Sequence, residues 1–127
     1  MRLPESLAIA LPPDVQAPSQ ARNHVREFCA HLSSPVVQTA TLLTSELVTN
    51  AVLHGEPDIA LRVTCDDRNL RVEVSDGSPQ PPVARDMNPT ALSGRGLLIL
   101  RALASRYGTE GNPAGRGKTV WFELHGR

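Results

Sequence analysis

From Phe28 to Ser45 the chain contains no Asp, Glu, Lys or Arg, an uncharged run of 18 residues. Its polar content decides what it can be. Ser33, Ser34, Gln38, Thr39 and Thr41 interrupt it and Pro35 sits near its start, so it is no membrane span. Instead, Ser34 as N-cap with Pro35 in the first helical position begins a helix, and Gly55 after His54 is the expected stop. On a wheel at 100° per residue, Val36, Ala40, Leu43, Leu47 and Ala51 form one buried stripe. Glu46, Asn50 and His54, each four residues from the last, run along its edge. Asn50 and His54 fall within reach of the apolar face, where an amide and an imidazole are costly unless they meet a partner. One alternative is a self-satisfied hydrogen-bond row on a slightly rotated helix. The other is a site, in which the amide oxygen of Asn50 gives a hard ligand to Mg²⁺ and Glu46 orients a nucleophile.

The remaining chain supplies a sheet and more helices. Ser6 to Leu11 alternates weakly and ends at Pro12-Pro13, as suits an edge strand. Ala21, Val25, Phe28, Cys29 and Leu32 recur at helical spacing after Pro18-Ser19. Asp58–Cys65 and Leu70–Ser75 are β-like runs joined by the polar turn Asp66-Asp67-Arg68-Asn69, which predicts a hairpin. Residues 77–93 hold four prolines and exceed an ordinary connector, so they read as a lid. From Gly96, LLILRALASRY predicts a helix halted at Gly108. Thr119–Leu124 then reads as a last strand after Gly115-Arg116-Gly117. The order implies one domain over residues 1–127, an α/β (α+β) two-layer sandwich with a mixed, mainly antiparallel sheet covered by helices on one face.

Composition removes several function classes. With 127 residues the chain buries one core without staples. Lys+Arg and Asp+Glu are both 13, so no electrostatic footprint for nucleic acid or an anionic membrane exists. Cys29 and Cys65 have no metal-ligand spacing and read as buried hydrophobes in a reducing compartment. The N-terminal apolar run is too short for a signal peptide, and a cytoplasmic location is expected. Twelve of the thirteen basic residues are Arg, Lys118 being the exception, a bias that GC-rich coding explains. Gly117-Lys118-Thr119 imitates a Walker A ending, but Asn112 stands where its first glycine belongs and no helix follows. There is no G-x-S-x-G elbow and no H-E-x-x-H.

Four short pieces remain, in order: Glu46-x-x-x-Asn50-Ala51-x-x-His54-Gly55, Asp76-Gly77, Ser93-Gly94-Arg95-Gly96-Leu97, and Gly117-Lys118-Thr119 before a strand. Each is weak alone. Gly94-Arg95-Gly96 before a helix suits phosphate oxygens but lacks a dinucleotide fingerprint. Together, from about Ser6 onward, they resemble the ATP-binding (Bergerat) fold shared by histidine kinases, gyrase, Hsp90 and MutL. Within it the chain is most similar to stand-alone anti-sigma-factor serine/threonine kinases, including small ATP-binding regulators of actinobacteria.

That resemblance implies roles. Asn50 matches the asparagine that binds Mg²⁺ bridging the ATP phosphates, and Glu46 the carboxylate that activates the acceptor hydroxyl. Asp76 matches the aspartate that accepts from the adenine amino group, with Gly77 beside it. Gly94, Gly96 and Leu97 match the lid-to-helix segment near the phosphates, and Arg95 is placed to reach one. Thr119 matches the threonine on the adenine side, while His54 and Lys118 belong to the same boxes. The implied protein is an ATP- and Mg²⁺-dependent kinase that switches partners between a sigma factor and an antagonist, with a homodimer expected on the same ground. A non-catalytic ATP-responsive binding regulator is the alternative. One departure stands out: where the family has D-x-G-x-G, Ser78 follows Gly77 and replaces the first of those glycines. The segment 77–93 also lacks the phenylalanine of histidine kinases, and no phosphoacceptor helix precedes residue 18.

Overall fold

Among the residues that the computed structural model describes (3–78, 94–111 and 117–126), the chain runs β1 (Glu5–Leu11), α1 (Ala17–Phe28), α2 (Ser34–His54), β2 (Ile59–Cys65), β3 (Asn69–Asp76), α3 (Gly94–Leu103), β4 (Arg106–Gly111) and β5 (Lys118–His125). Most of the expected lid, residues 79–93, and the turn residues Gly115 and Arg116 lie outside the described residues. The five strands form one sheet in the order β1-β2-β3-β5-β4. Every neighbouring pair is antiparallel, so the sheet is antiparallel throughout rather than mixed.

Alternation along the strands decides which face is covered. Ile59, Leu61, Val63 and Cys65 of β2, Leu70, Val72 and Val74 of β3, and Val120, Phe122 and Leu124 of β5 are all buried in one core with the helices. The residues between them point to the opposite, open face. Helix α1 contributes Ala17, Ala21 and Val25, whose small side chains let it lie close. Phe122 is the largest fully buried side chain, and truncating it to Ala would cost about 3–5 kcal/mol. The two cysteines are buried and free. Burial, with Cys65 alongside, pushes the Cys29 thiol up to about 12, as suits an inert core residue.

Helix α2 begins one residue earlier than its sequence suggests. Ser33 is the N-cap, in extended conformation, and Pro35 falls within the first turn, where a missing N–H costs nothing. Its buried side is wider than one stripe, taking in Thr41, Thr44 and Val48 besides Ala40, Leu43, Leu47 and Ala51, because α1 packs beside it while the sheet lies beneath. The Thr41 hydroxyl turns back to donate to the Gln38 carbonyl at 2.9 Å.

The helix predicted to reach Tyr107 is the main correction. It runs from Gly94 to Leu103, and its last turn closes with Ala104 N–H donating to the Leu100 carbonyl at 3.0 Å. The chain then joins the sheet as β4. Ser105 N–H donates to the Glu123 carbonyl, and Tyr107 and Gly108 lie opposite Phe122 and Trp121. The glycine that looked like a helix stop is a strand glycine under an indole. A Cβ at Gly108 would stand 2.9 Å from Trp121 Cζ2.

Candidate functional site

Three segments distant in sequence meet at one end of the covered face. They are the end of α2, the end of β3 and the start of β5. Gly77 N–H donates to the Glu56 carbonyl at 2.6 Å, and Gly117 N–H donates to the Ser78 carbonyl at 2.9 Å. Gly117 has φ 85°, left-handed backbone that glycine adopts without strain. A Cβ at Gly77 would run into the Pro57 carbonyl. Gly77 therefore meets the need for a small residue, and Ser78 takes its place in the junction through its backbone.

Asp76 sits at the centre of this junction, 5% exposed. Its Oδ1 accepts the Ser78 N–H at 2.8 Å, closing a turn over its own side chain. Its Oδ2 faces the last turn of α2, where an added Cβ at Gly55 would lie 2.6 Å from both Oδ2 and Cγ. Gly55 has an extended backbone with φ −89°, so left-handed capping does not explain the glycine. The space does: the carboxylate occupies the volume a side chain would fill. Sequence inspection treats Gly55 as a helix stop and misses this second duty, since nothing in the chain's pattern brings Asp76 to it.

Five residues before Gly55, Asn50 is 8% exposed and its Oδ1 is buried without a hydrogen-bond partner among the described residues. An unsatisfied buried amide oxygen costs about 1–3 kcal/mol. Among the described residues, two other buried side-chain atoms lack partners, Thr44 Oγ1 and Trp121 Nε1. Thr44 lies nearly two turns earlier in α2, is wholly enclosed, and reaches no opening. Trp121 lies on the open face. Of these three, Asn50 is the one near the end of α2, five residues before Gly55. A hard cation held by bound phosphates would satisfy it, so the donor chemistry fits Mg²⁺. Among the described residues, no cluster of three or more His, Cys, Asp or Glu could hold a metal on its own. A cation here would depend on ligands brought by a nucleotide.

The other expected residues fall as follows. Glu46 is half-buried one turn N-terminal to Asn50, on the same side of α2, and is engaged in an interaction of its own. His54 is exposed at the last turn, so the expectation that it shares the apolar face holds for Asn50 only. Gly94, Arg95, Gly96 and Leu97 form the first turn of α3. In the β3–β5 register Lys118 lies opposite Asp76, whereas Thr119 lies opposite Ser75. The Thr119 and Ser75 hydroxyls are 3.1 Å apart on the open face. Of the last motif, the half-buried Lys118 therefore shares the face of Asp76, and Thr119 does not.

The open face carries a separate polar network. Arg71 binds Glu123 at 2.8 Å and Glu73 at 3.4 Å, and Arg106 and His125 approach Glu123 at 3.5 and 3.2 Å. The Arg71 guanidinium stacks 4.1 Å above the Trp121 ring. Partial burial pushes the Glu123 carboxyl up, but hydrogen bonds from Arg71 and His125 with the charges of Arg106 and Arg71 outweigh it, holding it below its usual range.

A family model described as the histidine kinase-like ATPase domain matches residues 11–124, and the chain belongs to that family, which implies ATP binding. Among solved structures the chain is similar to the RsbU and RsbW domains of Rv1364c from Mycobacterium tuberculosis, with TM-score 0.71 and 23% identity. The match covers 95% of this chain and 32% of that one, so this chain spans about a third of the other's length. A search of curated protein sequences gives no match. No helix among the described residues is long and apolar enough to cross a membrane.

Proposed function

We propose that this protein is an ATP-binding serine/threonine protein kinase of the anti-sigma-factor type, acting in the cytoplasm by exchanging a sigma factor for a phosphorylatable antagonist. The observation that carries the proposal is the buried Asn50 Oδ1, unpartnered among the described residues and five residues before Gly55, whose missing Cβ leaves room for the Asp76 carboxylate. Family membership supports the nucleotide, and the fold shared with the structure of the RsbU and RsbW domains supports the regulatory class.

In this reading each residue has a defined task. Asp76 reads the base. Its Oδ1 is committed to Ser78 N–H, leaving Oδ2 to accept from the adenine amino group. Lys118 stands across the ladder from Asp76 and supplies positive charge on the same face. The N–H groups of the first turn of α3, at Gly94 to Leu97, would take the phosphate oxygens, since the helix dipole there favours anions. Asn50 would hold Mg²⁺ through Oδ1. When bound, that ion neutralises phosphate charge. Glu46, one turn away, accepts the proton of the acceptor hydroxyl as it attacks the γ-phosphorus in line, the bond from that phosphorus to the β,γ-bridging oxygen breaks, and ADP leaves with the charge on its β-phosphate. Little covalent chemistry falls to the protein in such a transfer, and positioning supplies most of the rate.

Equilibrium ATP binding with and without Mg²⁺, in wild type and Asn50→Ala, tests the site. Mg²⁺-dependent binding that the substitution weakens at least about tenfold is expected. Absence of ATP binding by wild type removes the proposal. Incubating the protein with γ-labelled ATP and candidate antagonists then tests the kinase half. Glu46→Ala should bind ATP and transfer no phosphate, and normal ATP binding without any transfer by wild type leaves only a nucleotide-responsive regulator.

A further inference from the structure

Helix α2 is exposed along one side, yet that side is almost without charge. In its 21 residues Glu46 is the one acidic residue, and there is no Lys or Arg. Helix α1, by contrast, carries Arg22, Arg26 and Glu27. Leu42, Glu46, Thr49 and Leu53, spaced four, three and four residues apart, form a single row opposite the buried Ala40, Leu47 and Ala51. Leu42 is 40% exposed and Leu53 is 68% exposed. Among the described residues six large hydrophobic side chains are exposed, and four of them stand on α2 and α3: Leu42, Leu53, Leu98 and Leu103. The outer side of a surface helix is normally charged, so leucines gathered on the two helices of the proposed site have the pattern of a surface that binds another molecule.

We propose, on the kinase reading above, that the row of Leu42, Glu46 and Leu53 seats the phosphoacceptor segment and selects a hydroxyl flanked by apolar residues on both sides. Glu46 fixes the occupant. Whatever hydroxyl it deprotonates arrives on a chain lying across this row, with a leucine on each side of the contact. Along the helix axis Leu42 is about 6 Å from Glu46, and Leu53 is about 10 Å from it in the other direction. An extended chain advances about 3.3 Å per residue, so the matching apolar side chains belong about two residues to one side of the hydroxyl and about three to the other.

Charge sharpens the choice. An acidic residue at either flank would be desolvated against leucine and repelled by Glu46, while a lysine or arginine there would compete with the hydroxyl for Glu46. Apolar flanks meet the leucines without either loss. The chemistry is the transfer already described: the hydroxyl oxygen takes the γ-phosphoryl group, its proton passes to Glu46, and ADP leaves. The leucines add discrimination between acceptors, on the order of tenfold for a well-packed apolar contact.

Phosphate transfer from γ-labelled ATP to synthetic serine peptides tests it, the peptides differing only in carrying Leu or Glu at the two flanking positions, with the two spacings in either order. Wild type, Leu42→Lys, Leu53→Lys and the double variant are compared by kcat/KM. Both positions are exposed, so lysine fits, and an unchanged thermal midpoint confirms the fold. Wild type should prefer a Leu-flanked peptide at least about tenfold, each single variant should reduce that preference, and the double variant should turn to the Glu-flanked peptide. Equal transfer to all peptides by wild type, or a preference untouched in the double variant, overturns the proposal and leaves the kinase standing. Transfer to an antagonist protein but to no peptide does the same, whereas transfer to neither removes the kinase reading as well. Sedimentation equilibrium of the same proteins covers the other occupant: a wild-type dimer that the substitutions dissociate, with peptide preference unmoved, gives the row to a second copy and overturns the proposal.

Discussion

The two faces of the sheet treat their polar groups in opposite ways. On the open face, Glu123 is ringed by Arg71, Arg106 and His125, and Arg71 also covers Trp121. On the covered face, Asn50 Oδ1 is buried with no partner among the described residues, and the Asp76 carboxylate fills a space that Gly55 leaves vacant. A network whose charges already have partners has little left to offer a ligand. An incomplete one carries a free-energy cost that a ligand can remove, and that difference is why we propose the covered face as the site.

Perturbing each face should therefore produce different signatures. The largest effect belongs to Gly55→Val, whose side chain must displace the Asp76 carboxylate. ATP affinity should fall at least about 100-fold by calorimetry, with about 1–3 kcal/mol lost from urea unfolding. Asn50→Ala should separate the two readouts. Mg²⁺-dependent ATP binding drops at least about tenfold, while the unfolding midpoint without nucleotide holds or rises, because the orphan acceptor is gone. A clear loss of stability with unchanged binding would make Asn50 structural instead.

The open face should answer the other way. Arg71→Ala should lower stability by about 1 kcal/mol and leave ATP affinity within about threefold. Glu123 adds a pH signature. Its folded pKa is lowered, so its contribution is complete above the unfolded value of roughly 4.3 and fades as pH falls through the lower folded one. The stability gap between wild type and Glu123→Gln should be steady from neutral pH down to about 5 and close on further acidification. The smallest effect concerns the last motif. Lys118→Ala should weaken ATP binding severalfold, whereas Thr119→Val should change it by less than about twofold, because its hydroxyl faces Ser75. The reverse order would show that the β3–β5 register does not govern nucleotide contact.

Much of the layout was legible because it is periodic and locally punctuated. Helix α2 announces itself through Pro35, Gly55 and its apolar spacing, and the β2–β3 hairpin through Asp66. That side chain accepts the Arg68 and Asn69 N–H groups at 3.0 and 2.9 Å, and these bonds lower its carboxyl pKa. β4 was not legible. RALASRYG carries helix formers, and only Ser105 N–H meeting the Glu123 carbonyl and Gly108 lying under Trp121 make its second half a strand. Those partners lie beyond any local window.

By itself the sequence determined the helices with strong periodicity, the hairpin, and the four motifs whose order points to a nucleotide. It did so because capping, alternation and turn chemistry act between residues a few positions apart. Tertiary structure alone decided three things. Asp76 rather than a capping need makes Gly55 a glycine, Lys118 rather than Thr119 lies opposite Asp76, and Asn50 rather than His54 keeps its polar atom buried and, among the described residues, unmet. Each depends on which strand lies beside which and in what register, a choice that burial of the whole core makes collectively.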